Sequence, residues 1–234
     1  MKKIKSKHVW LLVGIAILIY VLTTPLFLET TASALLLLDH RRAGKYLLRL
    51  CIILHPDNSA CLGSTATVKF VEGMYDEALE LSTKAIENNP DSCFYYMDRG
   101  DMFWHLAYVV AQEGDTQKVL DYMVKAHKDY CDAIEISPNR AELYEKRAQV
   151  YLDTAYYEDV LKDTEKALQI DSNRGNAHRL RALAYWNGFE DTSSACYHLR
   201  MAQDLYEKQK DTEGLETIKS YHDLILECDL VSED

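Results

Sequence analysis

The chain has 234 residues but only nine glycines and four prolines, a sparse punctuation that favours long helices over loop-rich folds. Apolar residues make up 48% and charged residues 27%, the balance of an ordered body rather than a disordered one. The formal charge is -11, and beyond Lys2, Lys3, Lys5 and Lys7 there are 22 bases against 37 acids, a surface that repels phosphate backbones and argues against nucleic-acid binding.

From Val9 to Leu28 run 20 residues without a charge, enough as a helix to match a bilayer core of about 30 Å. The four lysines before it resist translocation, so the expectation is a single-pass membrane anchor over residues 1-28, its amino terminus cytoplasmic and the rest of the chain exported. The alternative is a cleavable signal segment, for which Ala32-Ser33-Ala34 supplies the small-x-small cleavage pattern. The lack of any Asn-x-Ser/Thr site fits a bacterial cell envelope, with a secreted or periplasmic location as the alternative.

Next come amphipathic segments closed by Pro56, Pro90, Pro138 and Ser172, at intervals of 34, 48 and 34 residues. Five positions before each stop stands a small residue: Cys51, Ala85, Ala133 and Ala167. Leu48, Ser82, Tyr130 and Thr164 precede these, and Gly44, Ala78, Ala126 and Val160 precede those. The strongest examples are Gly73-Met74-Tyr75-Asp76-Glu77-Ala78-Leu79 with Lys84-Ala85-Ile86 and Asn89-Pro90, and Glu165-Lys166-Ala167-Leu168 running to Asn173. Tyr95-Tyr96-Met97-Asp98-Arg99-Gly100 and Tyr144 to Tyr151 read as opening helices, with Gly100 and Ala148 at close contacts.

This grammar resembles the tetratricopeptide repeat (TPR) family over most of residues 25 to 208. The resemblance implies an all-α fold, an α-solenoid of antiparallel helix pairs in a TPR-like superhelix, preceded by the transmembrane or signal helix. The expected copies are a degenerate, leucine-rich one at about 25-58, then 59-92, 93-140, 141-174 and 175-208. A capping helix at 209-230, built on Leu215, Ile218, Tyr221, Leu224 and Ile225, and a tail at 231-234 complete the chain. The 48-residue interval exceeds 34 by 14, about two helical turns in each arm of one hairpin, so 93-113 and 115-136 are predicted as an elongated helical hairpin turning near Gly114-Asp115.

No glycine-rich phosphate loop, His-Glu-x-x-His, Gly-x-Ser-x-Gly or Cys-x-x-Cys occurs, so the expectation is no enzyme, no cofactor and no small-molecule substrate. Asp101 and His105, four apart, would be half of a metal site at most, and a solvated polar pair explains them more simply. The cysteines at 51, 61, 93, 131, 196 and 228 are irregularly spaced and read as buried small residues, with disulfides as the alternative.

In the TPR family the first helix of each pair lines a concave groove. Carried over, this register sets Phe70, Trp104, Leu152 and Trp186 in one row, with Met97, Asp101, His105, Glu145, Gln149, Asp153, Asn176, Arg179, Leu183 and Asn187 beside it. Aromatic rings flanked by polar groups suit a protein or peptide partner, although the same rings would equally fill contacts between helices. Members of the family that clamp a chaperone's carboxyl-terminal tail use Lys and Asn on this face. Here Gly63, Thr67, Met97, Asp101, Glu145 and Gln149 stand there, with Arg179 the only strong cation, so the implied ligand is apolar or mildly basic. The functional expectation is a non-enzymatic scaffold or adaptor on the non-cytoplasmic side of a membrane. The alternatives are an exported soluble effector or chaperone and, further off, a metal-dependent accessory subunit.

Overall fold

A computed structural model describes residues 22-37, 41-221, 224-226 and 228. Eleven helices are formed there: α1 Pro25–Leu37, α2 Arg41–Leu54, α3 Ser59–Val71, α4 Tyr75–Asn88, α5 Cys93–Ala111, α6 Thr116–Ile136, α7 Ala141–Asp153, α8 Tyr157–Ile170, α9 Gly175–Phe189, α10 Thr192–Gln209 and α11 Thr212–Lys219. No strand occurs among the described residues. The chain divides into Met1–Arg99 and Gly100–Asp234. Within the first unit α1 packs on α2 and α3 on α4; within the second α7 packs on α8 and α9 on α10, with α11 against α10. The fold is therefore the all-α helical repeat.

The twelve residues of the repeated grammar are the contact points that set these pairs. Ala78, Ala85, Ala126, Ala133, Val160, Ala167, Thr164 and Cys51 have no exposed surface, and Leu48, Tyr130 and Ser82 are 1 to 3% exposed. Gly44 is buried too, because a Cβ there would meet Leu36 Cγ at 2.7 Å and the Ala32 carbonyl oxygen at 2.8 Å. Small side chains at these rows let two helix axes approach, and the bulky residue between them fills the groove that remains. At Gly100 the bulky partner is visible directly: a Cβ would lie 2.7 Å from the Tyr130 ring.

Helix ends follow from local chemistry. α2, α4 and α6 each stop two residues before a proline, which disfavours helical backbone in the residue ahead of it. Ser172 takes the proline's place after α8, where the Asp171 side chain accepts from Asn173 N at 3.0 Å and the local turn supplies the stop. Asn58, Asp115, Asp191 and Asp211 start α3, α6, α10 and α11, each accepting from the backbone three residues on.

The turns inside the pairs share one device. Left-handed residues sit at Gly73, Gly114, Ala155 and Glu190, with φ of 80°, 78°, 61° and 53°. Gly73 to Gly114 and Gly114 to Ala155 are each 41 residues, seven beyond 34, so the extra length is shared equally on the two sides of the Gly114 turn. Seven residues are about two turns, and the buried face is kept. α5 and α6 reach 19 and 21 residues as a result, against 13 or 14 in α3, α4, α7 and α8.

The expected amino-terminal anchor over residues 1-28 falls largely outside the described residues. Among those described, no helix is long and apolar enough to cross a membrane. Pro25 to Leu28, the far end of the uncharged run, stand in α1, where Leu28 packs with Cys51 and Cys61.

The cysteines require a correction. Cys51 is bonded to Cys61 and Cys196 to Cys228, leaving Cys93 and Cys131 free. Cys51 does fill a small-residue position, but its sulfur points across to α3, so packing and pairing coincide. The carboxyl-terminal stretch also differs from one continuous helix: α11 ends at Lys219, where the Ser220 hydroxyl donates to the Thr217 carbonyl at 2.6 Å, and helix resumes at Leu224.

Candidate functional site: an aromatic cavity in the second unit

A cavity of about 700 Å³ opens in the unit Gly100–Asp234. First helices of consecutive pairs line it. α5 contributes Trp104 and Tyr108; α7 contributes Gln149, Leu152 and Asp153; α9 contributes Asn176, Arg179, Leu183, Trp186 and Asn187. Spacings of three, four and seven residues place each set on one helical face. Tyr206, Asp211, Glu213, Gly214, Thr217 and Tyr221 close the carboxyl-terminal end. Gly214 is required there, since a Cβ would come within 2.7 Å of the Tyr206 ring.

Two polar centres organise the lining. Asp153 accepts from Trp104 Nε1 at 2.6 Å and from Gln149 Nε2 at 2.9 Å. Burial pushes its carboxyl up against the pull of these donors and of Arg179. A carboxylate offers about four acceptor sites and two are filled, leaving room for a ligand N–H. Arg179, the second centre, donates to Asn176 Oδ1 at 3.0 and 2.8 Å, to Gln149 Oε1 at 3.0 Å and to the Tyr221 hydroxyl at 2.7 Å. Most of its fork is committed to the wall. Gln149 bridges the two centres, its amide nitrogen on Asp153 and its oxygen on Arg179.

The rings are held for different reasons. Trp104 meets Tyr108 edge-on at 5.2 Å, and Tyr108 is 49% exposed. Trp186 packs against the cluster of Ala195, Leu199, Ala202 and Tyr206 while turning another side to the cavity. Burial lifts the Tyr206 hydroxyl to about 12, so it stays protonated.

Of the residues named from sequence, Trp104, Gln149, Leu152, Asp153, Asn176, Arg179, Leu183, Trp186 and Asn187 come together here. The others lie elsewhere. Phe70 and Met97 belong to the first unit, where Phe70 packs on Tyr75 at 5.0 Å and Met97 is buried. Asp101 accepts from the Tyr130 hydroxyl at 2.6 Å and from Lys146 at 2.8 Å, and His105 is exposed and outside the lining. Glu145 is 3% exposed and takes both branches of Arg174, which makes it a structural ion pair. No cluster of three or more potential metal ligands occurs among the described residues. Sequence reasoning missed Tyr108, Tyr206, Asp211, Glu213, Gly214, Thr217 and Tyr221. Tyr108 continues the Trp104 face by four residues, a signal the sequence does carry; hydrophobic spacing places Tyr221 on the capping face alone.

No protein-family model matches the chain. Over 112 residues it is 27% identical to "DnaJ homolog subfamily C member 7" of Homo sapiens and 26% identical to that of Mus musculus, a stretch covering 48% of this chain. The chain spans about a fifth of the length of these curated relatives, 21% in each case. Among solved structures it is similar to TTC0263, a thermophilic TPR protein of Thermus thermophilus, at TM-score 0.68 and 18% identity, over 87% of this chain and 100% of that one. It is also similar to Pseudomonas aeruginosa pilF, at 0.64 and 13% over 90% and 97%, and to YrrB, described as a TPR protein with an unusual peptide-binding site, at 0.52 and 18% over 84% and 93%. The arrangement of helix pairs and the small-residue crossings thus carry the fold of the tetratricopeptide repeat proteins.

Proposed function

We propose that the protein is a non-enzymatic scaffold that captures a segment of a partner protein in the cavity of its second unit, and that this segment presents a basic side chain beside apolar ones. The observation that carries this is the half-filled, solvent-accessible Asp153 carboxylate set among Trp104, Tyr108 and Trp186. Rings supply contact area and attract cations over their faces, and the carboxylate supplies direction. Charge complementarity points the same way, since Gly100–Asp234 holds 15 Lys and Arg against 27 Asp and Glu. Arg179, engaged by its neighbours, leaves little for an anionic ligand.

A random peptide library selected on the full chain tests this. The expected outcome is enrichment of Lys or Arg next to aromatic or aliphatic residues, lost on the Asp153→Asn chain. Enrichment of acidic peptides, or selection unaffected by that substitution, contradicts it.

The scaffold is further proposed to work outside the cytoplasm, tethered by an uncleaved amino-terminal segment. Two disulfides support an oxidising compartment. Cleavage after Ala34 would cut α1 and remove Leu28 and Ala32, both buried, from the first pair, which favours the tether over a released form. A mature chain that begins at Leu35, or thiols found reduced in the cell, would count against it.

A further inference from the structure

A cluster apart from the cavity gathers on α6, α7 and α8. Cys131 and His127 lie four residues apart on α6, with Sγ at 3.7 Å from His127 Nε2 and 3.9 Å from Nδ1. Arg147 on α7 donates from Nη1 to the same sulfur at 3.3 Å. Asp163 on α8 fixes that guanidinium through two further bonds, Nε at 2.8 Å and Nη2 at 2.7 Å. Tyr151 on α7 holds the imidazole, its hydroxyl 2.9 Å from His127 Nε2. Cys131 is half-buried, whereas the other free thiol, Cys93, is buried.

We propose that Cys131 is a modification site, a reactive thiol whose sulfur exchanges with small disulfides of the glutathione class. A guanidinium cannot give up its proton, so an N–H aimed at sulfur favours the thiolate over the thiol. The imidazole adds a second positive group when protonated. Asp163 offsets part of the Arg147 charge but keeps its fork turned toward the sulfur. Together His127 and Arg147 hold the thiol below its ordinary range despite burial, and the thiol in turn holds His127 above its own. In the step itself, the Cys131 thiolate attacks one sulfur of the small disulfide. A new S–S bond forms, the old one breaks, and the departing thiolate takes a proton from water. The electrons come from Cys131 and the oxidant is the small disulfide, so the exchange balances.

Treating the full chain, its own disulfides intact, with oxidised glutathione over a range of pH tests this, with adducts located by peptide mass mapping. The expected result is one glutathione per chain, on Cys131, with a pH midpoint below the usual thiol value of about 8.5. Arg147→Gln and His127→Asn should each move that midpoint upward, and Cys131→Ser should abolish the adduct. Should Arg147→Gln lose helicity by stranding Asp163, His127→Asn alone decides. A midpoint at or above about 8.5, one that His127→Asn leaves in place, or adducts on Cys93 ahead of Cys131 would overturn the assignment.

Discussion

The two units are built on one packing rule and differ in charge. Met1–Arg99 contains 11 Lys and Arg against 10 Asp and Glu, whereas Gly100–Asp234 contains 15 against 27. Both bury small residues at the crossings, Ala78 and Ala85 in the first and Val160 and Ala167 in the second. Among the described residues, only the second adds buried carboxylates held by arginine, Glu145 with Arg174 and Asp163 with Arg147, and the aromatic cavity lies there too. The crossings specify the helix pairs and leave the remaining faces free for charge and recognition.

The largest stability effect should come from breaking a buried pair of the second unit. Glu145→Ala strands Arg174 and should cost about 3-5 kcal/mol in denaturant unfolding. Its counterpart in the first unit, Glu80→Ala at the exposed Glu80 and Lys84 pair, should leave the midpoint unchanged. Equal losses would erase the contrast.

Acid should act on the second unit next. His178 and His198 meet Nδ1 to Nδ1 at 3.0 Å, with the Tyr185 ring stacked on His198 at 5.6 Å. One must donate and the other accept, so both cannot be charged without breaking the contact. Burial first, and then Arg181, hold both below the ordinary histidine value, His198 at about 4. The unfolded chain takes up protons sooner, near pH 6.5, so stability is full above that value. It then falls as pH drops from about 6.5 toward 4, by on the order of 2 kcal/mol. Amide exchange should show α9 and α10 losing protection before α3 and α4. Loss in the reverse order would remove the pair as the cause.

Overpacking a crossing should affect both units alike. Ala85→Leu and Ala167→Leu, each with no exposed surface in the native chain, should each cost about 1-3 kcal/mol by thermal unfolding. A cost confined to one unit would mean that the shared grammar is not what holds both.

The smallest change is a gain. Ala155 adopts φ of 61°, the left-handed region that Gly73 and Gly114 occupy without strain. Ala155→Gly relieves about 1 kcal/mol of strain but loosens the unfolded chain, so a net stabilisation of about 0.5 kcal/mol is expected from chemical denaturation.

The fold was legible because its information is local and periodic. Alanines at fixed offsets from a proline report both the crossing and the helix end, and seven extra residues per arm preserve the face. The site was legible only where it repeats that register. Trp104, Leu152 and Trp186 follow from the first-helix face, but Tyr206 and Tyr221 reach the cavity from the carboxyl-terminal closure, whose break after Lys219 depends on Ser220 rather than on hydrophobic spacing. Glu145 and Asp101 occupy groove register by count yet are claimed by Arg174, and by Tyr130 and Lys146, partners 29 to 45 residues away. The disulfides were hidden because a small buried cysteine and a paired one satisfy the same position.

The most direct test of the cavity's role is calorimetric titration of a library-selected basic peptide into the full chain, the Asp153→Asn chain and the Trp104→Ala, Trp186→Ala double variant. An acidic aromatic cavity predicts binding that weakens with salt, drops several-fold without the carboxylate, and loses about 2 kcal/mol for each anchor ring removed while helicity is retained. Equal affinity for all three chains would place the partner elsewhere on the molecule.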